Sequence, residues 1–211
     1  AASLDWLYQL QWVPSDPAHD SAVRPSRWLV AGETGDALAA ALRGAGMQAH
    51  GVPLAGLETA LAQACDHVVL WAPEEAATPQ LPLRALRALC HAGSSARLWF
   101  ITQAAQAVEP GERVQVLQGA LWGSARVLAQ EHPEHWGGLV DLGAGFDAAR
   151  GAGPLADHLL CGDGEDQVAW RGPYRHVLRL ARAQREPGAQ PFAWRADATY
   201  LITGGLGGVA A

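Results

Sequence analysis

The chain has 211 residues, 49% hydrophobic and 17% charged, so a sizeable buried core is expected in one domain or one and a fraction. A formal net charge of -6 argues against a nucleic-acid surface. No apolar run approaches the ~20 residues of a membrane span, and no basic, then apolar, start marks a secretory signal; a cytoplasmic protein is expected.

Asp5 to Val13 alternates, with Trp6, Tyr8, Leu10 and Trp12 on one side, which reads as a half-buried strand ended by Pro14. Ser15 to Ser26 is a polar connector. Trp28 to Ala31 is a short apolar strand, and Gly32 to Gly35 is a turn. Asp36 to Gly44 has helical spacing. Gln48 to Val52 is a strand, Leu54 to Ala64 a helix, and His67 to Trp71 a third strand of this run. Leu81 to Ala92 is helical, with Leu83, Leu86, Leu89 and Cys90 on one side. Leu98 to Thr102 is a strand. Val114 to Glu131 is the longest helix, closed by Pro133. Leu139 to Leu142 is a strand, and Asp147 caps a helix that runs to Leu160. Gln167 to Trp170 and Tyr174 to Leu180 flank Arg171-Gly172-Pro173 as a hairpin. Residues 183–197 form a linker, and Thr199 to Thr203 a last strand before Gly204-Gly205-Leu206-Gly207-Gly208.

Apolar strands that alternate with helices imply a parallel sheet covered on both faces. The body is therefore expected to be α/β, a truncated Rossmann-like layer structure over about residues 27–161. The nine Trp residues mostly fall in apolar strand or helix positions and read as core and subdomain interface; the three cysteines, Cys65, Cys90 and Cys161, read as small core residues. His132 and His135 flank a Pro and do not share a helical face as zinc ligands would; a helix C-terminus accounts for them. Asp163, Glu165 and Asp166 read as a solvated turn.

Two glycine turns could hold a phosphate. Gly32-Glu33-Thr34-Gly35 places a carboxylate beside any anion, which repels it, and a tight turn is the better reading. The second turn follows a strand, where backbone can approach a pyrophosphate. Only Val209, Ala210 and Ala211 come after it, too few to nucleate a helix.

Several stretches, in order, resemble ketoreductase domains of modular type I polyketide synthases. They are Asp5-Trp6-Leu7-Tyr8 through Trp12-Val13-Pro14, and Trp122-Gly123-Ser124-Ala125-Arg126-Val127 followed by Glu131-His132-Pro133-Glu134. Next come Trp136-Gly137-Gly138-Leu139-Val140-Asp141-Leu142 and Glu165-Asp166-Gln167-Val168-Ala169 with Arg171. The last is Thr199 to Gly208. The resemblance implies two short-chain-dehydrogenase-like subdomains. The first, residues 1–182 here, is structural and braces the second. The second begins at 198–211, binds NADPH and reduces a β-ketoacyl thioester held on an acyl carrier protein.

By resemblance, Thr203, Gly204, Gly205, Leu206, Gly207 and Gly208 form an incomplete cofactor half-site, with Ala210 where the motif usually has its last Gly. The family's reduction uses Tyr, Ser and Lys. All 15 positive side chains here are Arg, so no lysine can assist Tyr8, Tyr174 or Tyr200. The resemblance thus implies no catalysis and no cofactor for this chain alone. Its partners would be the catalytic subdomain and other synthase domains, with no nucleic acid and no membrane. Two alternatives stay open. One is a pseudo-ketoreductase scaffold for a neighbouring dehydratase or methyltransferase. The other is a free-standing Rossmann enzyme that uses Gly32 to Gly35.

Overall fold

A computed structural model describes residues 7–17, 24–71, 78–183, 193–201 and 203. Its centre is an eight-stranded sheet. The strands are β1 (Tyr8–Pro14), β2 (Arg27–Ala31), β3 (Gln48–Val52), β4 (His67–Trp71), β5 (Arg97–Gln103), β6 (Trp136–Leu142), β7 (Gln167–Arg171) and β8 (Tyr174–Arg182). Their order across the sheet is β1-β8-β7-β6-β5-β4-β2-β3. From β3 to β7 every pairing is parallel, and the β7–β8 hairpin turns back.

The helices are α1 (Gly35–Gly44), α2 (Leu57–Ala60), α3 (Leu81–His91), α4 (Val116–Glu131) and α5 (Ala148–Leu160). Strand periodicity assigns them to faces. Leu29, Val68, Leu70, Leu98, Phe100 and Leu139 point one way, onto Leu57 of α2, Leu89 of α3 and Leu121 of α4. Val30, Val69, Trp71, Ile101, Val140 and Leu142 point the other way, onto Leu38 of α1 and Leu155 of α5. The result is the three-layer Rossmann-like architecture expected of the sequence. Asp147 caps α5 as expected, its Oδ1 accepting the Ala149 N–H at 2.9 Å.

Several expectations are corrected. The helix read over 54–64 is a 3-10 turn at Leu54–Gly56 followed by the single turn of α2. Leu83 and Cys90 are exposed; α3 buries Leu81, Ala85, Leu86, Ala88 and Leu89 instead. Trp12, on the half-buried side of β1, packs edge-on against Trp122 at 5.9 Å and lies against the core. Trp6 lies outside the described residues. The chain divides into two compact units: residues 10–180, which hold the sheet body, and residues 1–9 with 181–211. In the smaller unit, the Ala183 N–H reaches the Leu7 carbonyl at 2.9 Å. Residues 198–201 form no strand, contrary to expectation. Among the described residues no helix is long and apolar enough to cross a membrane.

Candidate functional site

Of the expected cofactor residues, Thr203 lies exposed in a turn, and Gly204, Gly205, Leu206, Gly207 and Gly208 lie outside the described residues. The nearby Tyr200 hydroxyl accepts the Arg195 N–H at 2.7 Å, and its ring meets Trp194 edge-on at 4.6 Å.

The first glycine turn joins β2 to α1. Gly32 has φ 149°, and a Cβ added there would stand 2.1 Å from the Trp71 carbonyl oxygen. Its glycine therefore serves close passage of the chain over the end of β4. The turn opens on a cleft of about 940 Å³, where, among the described residues, Glu33, Asp36 and Glu58 line the walls with one basic residue, Arg84. Carboxylates on these walls would repel a bound phosphate. Gly32→Ala is expected to destabilise the chain by roughly 2 kcal/mol through backbone strain and the clash with Trp71. A urea midpoint equal to that of the parent chain would refute this.

The densest polar arrangement lies at the ends of β5, β6 and β7. Asp141, in apolar β6, is fully buried, and so is nearly all of Arg171 at the end of β7. Arg171 Nη2 donates to Asp141 Oδ2 at 2.9 Å and to the Gln106 carbonyl at 2.7 Å; Nε donates to Glu112 Oε1 at 2.5 Å. Asp141 Oδ1 also accepts from Thr102 Oγ1 and the Ala105 N–H, both at 2.8 Å, and Oδ2 accepts the Gln106 N–H. Trp122 Nε1 in α4 donates to Thr102 Oγ1 at 2.8 Å. Glu112 Oε2 takes the N–H groups of Val108 and Glu109. One chain of bonds thus runs from Trp122 through Thr102, Asp141 and Arg171 to Glu112.

The electrostatics follow from burial. Desolvation raises the Asp141 carboxyl, against the N–H and O–H donors that favour its charged form. Desolvation also opposes charge on Glu112, but Arg171 and the two backbone donors outweigh it, and the Glu112 carboxyl is held low. Desolvation opposes charge on Arg171 too, yet its two carboxylate partners hold it above its ordinary value. The network fixes the loop from β5 to α4. Ala104 enters that loop at φ 54°, a region alanine seldom adopts. It is held there because its N–H reaches the Leu142 carbonyl at 2.7 Å and its carbonyl takes the Gln115 N–H at 2.8 Å. Gln118, buried in α4, adds a bond from the Gln103 N–H at 2.7 Å.

The acidic turn is solvated only in part: Asp166 is exposed, whereas Asp163 and Glu165 are drawn inward by arginines. Asp163 sits 2.6 Å from the buried Arg175, Glu165 pairs with Arg179, and Asp166 Oδ2 accepts Trp136 Nε1 at 2.7 Å. His132 and His135 do not converge. The first meets Glu134 at 3.2 Å and the second the Ala96 carbonyl at 3.0 Å. Among the described residues no three His, Cys, Asp or Glu side chains gather as metal ligands would.

This geometry defines the class: a Rossmann-like domain whose buried Asp141 and Arg171 are committed to one another, with acidic residues around the cleft at Gly32. Comparison with known proteins makes it specific. The family described as "Polyketide synthase extender module SpnB, Rossmann fold domain" matches residues 10–180. Pikromycin polyketide synthase component PikAIII of Streptomyces venezuelae is 36% identical over 98% of this chain and 14% of its own length. The 5-methyl-1-naphthoate synthase of Streptomyces sahachiroi is 30% identical over 96% of the chain and 12% of its own length. Among solved structures, a C2-type ketoreductase from a modular polyketide synthase superposes with a TM-score of 0.69 at 30% identity, over 86% of this chain and 45% of that one. The chain belongs to this polyketide synthase Rossmann-fold family and represents the ketoreductase region of a modular type I synthase. It spans 14% and 12% of these two curated synthases and under half of the solved ketoreductase.

Proposed function

We propose that the chain is the non-catalytic structural subdomain of a β-ketoreductase. It braces a catalytic subdomain that binds NADPH and reduces β-ketoacyl thioesters carried by an acyl carrier protein, within a cytoplasmic multidomain synthase. The observation that carries this reading is the use made of Trp122, Asp141 and Arg171. These motif residues point at one another and at backbone within the fold, and none is left to meet a substrate. Such a network rigidifies a body that others lean on. The acidic cleft at Gly32 and a sequence without Lys support the same reading.

Thr203 to Gly208 would contribute to the NADPH site of the complete ketoreductase, where the glycines let backbone approach the pyrophosphate. What NADPH supplies is hydride; what this chain supplies is a rigid support. Titration calorimetry of the 211-residue chain with NADPH is expected to show no binding heat, while the complete ketoreductase binds. Saturable binding by the chain alone, or NADPH oxidation by it with a diketide thioester, would overturn the proposal and favour the free-standing enzyme.

A further inference from the structure

A second cleft, of about 620 Å³, opens where β6 and β7 end and α5 begins. Its walls are largely apolar: Leu142 and Trp170 at the strand ends, Phe146 in the loop before α5, Pro154 and Leu155 in α5, and Pro173 in the hairpin turn. Small-molecule sites are concave and mostly apolar, with a few placed polar groups, and occupy about 300–1,000 Å³. This cleft has that size and that lining.

Its glycines have different reasons. Gly151 makes room for a wall: a Cβ there would stand 2.2 Å from Cζ of Phe146, whose ring also leans on Trp71 at 5.8 Å. Phe146 is therefore fixed in place by packing on two sides. Gly145 has no such duty. It lines the cleft, it is exposed, and its backbone does not take the positive φ that favours glycine. A Cβ on Gly145 would meet nothing within 4 Å. Glycine at this position keeps side-chain atoms out of the cleft and leaves the space to a ligand.

The charges select the ligand. Among the described residues that line the cleft, Arg150 is the one cation and Asp147 the one carboxylate. Asp147 is tied to the fold, since its Oδ1 caps α5 by accepting the Ala149 N–H at 2.9 Å. Arg150 is held loosely: its side chain is 91% exposed, and its Nε comes no closer than 3.7 Å to Asp147 Oδ2. A guanidinium so placed can turn to an incoming carboxylate and grip it with two N–H groups.

We propose that this cleft binds a small carboxylic acid with a compact apolar body, the body lying against Phe146 and Trp170 and the carboxylate meeting Arg150. The site is separate from the bracing role and does not depend on it.

The probe is hydrocinnamate, a phenyl ring on a short carboxylate chain, and its neutral counterpart is hydrocinnamamide. Amide NMR spectra are recorded on the 211-residue chain and on the complete ketoreductase expressed as one polypeptide. Hydrocinnamate is expected to shift the amide signals of Gly143, Gly145, Gly151 and Gly172 saturably in both proteins. Gly145→Leu should abolish these shifts by filling the cleft. Arg150→Gln should weaken hydrocinnamate roughly threefold, the scale of an exposed ion pair, and leave hydrocinnamamide unchanged.

Three results would each overturn the proposal: no saturable shift at these glycines up to the solubility of the probe, shifts that survive Gly145→Leu, or an equal effect of Arg150→Gln on acid and amide. Binding by the chain alone that disappears in the complete ketoreductase would also overturn it, because the cleft would then be covered in the parent protein. The Arg150 comparison is read on a variant at an exposed side chain, so it stands even if Gly145→Leu disturbs the loop. None of these outcomes involves NADPH, so failure here is distinct from failure of the bracing role.

Discussion

Replacing Arg171 by Ala is expected to destabilise the chain by about 3–5 kcal/mol, because it strands a buried carboxylate. Asp141 is 0% exposed and Arg171 is 6% exposed, so water cannot take the place of the lost guanidinium. Glu112 loses its partner in the same step, and the Gln106 carbonyl loses a donor. Against a total stability of about 5–15 kcal/mol, a loss of this size moves the melting temperature by roughly 10 °C. Arg171→Lys keeps a charge but not the planar fork that reaches Glu112 and Asp141 together, and should fall between the two. Adding Asp141→Asn to Arg171→Ala should restore part of the loss, since the uncompensated charge is gone. Urea denaturation checks all three. A loss below about 1 kcal/mol for Arg171→Ala would mean that the network does not hold the fold as described.

Acidification from pH 7 to pH 5 is expected to cost the chain on the order of 4 kcal/mol, about half from each of His67 and His158. Burial lowers both imidazoles to about 4, helped at His67 by Arg97 and at His158 by Arg175. His67 is stacked on Trp28 at 4.1 Å and accepts the Trp99 Nε1–H at 3.3 Å, an arrangement that suits the neutral ring. The folded value lies below the unfolded one near 6.5, so between these values the unfolded chain holds more protons. Stability from these groups is complete above about pH 6.5 and is lost as pH falls toward 4. Asp141 has the opposite sign: burial raises it, so it takes up a proton in the folded chain first and offsets part of the loss at the acid end. His67→Phe should flatten the dependence of the urea midpoint on pH between 7 and 5. An identical slope in the variant would exclude His67 as a source.

The sheet was legible because parallel strands buried on both faces leave short apolar runs. His67–Trp71 falls where the sequence places it, four of its five residues buried. The turn at α2 was over-read. Leu54, Leu57 and Leu61 have helical spacing, but only Leu57 and Leu61 are buried, and one turn suffices to seat them. In α3 the leucine pattern pointed at Leu83, while Ala85 and Ala88 mark the true inner face; small residues pack closely and carry a weak apolar signal.

The site was half legible. Asp141 inside an apolar strand and Arg171 at the end of another signal buried charge, yet periodicity does not say which charges meet. Glu112 is 59 residues from Arg171 in sequence, and nothing local distinguishes it from a surface glutamate. The acidic turn at 163–166 was misread for the same reason, since its arginine partners lie on β8.

The sheet order has a consequence for biosynthesis. The first strand, β1, stands at the end of the sheet and borders β8, the last of its strands to be made. Until Tyr174–Arg182 leaves the ribosome, Tyr8–Pro14 has no mate. Closure of this edge must then be among the latest steps as the nascent polypeptide matures. A stalled or truncated translation product would display a sticky leading strand to chaperones and to its own siblings.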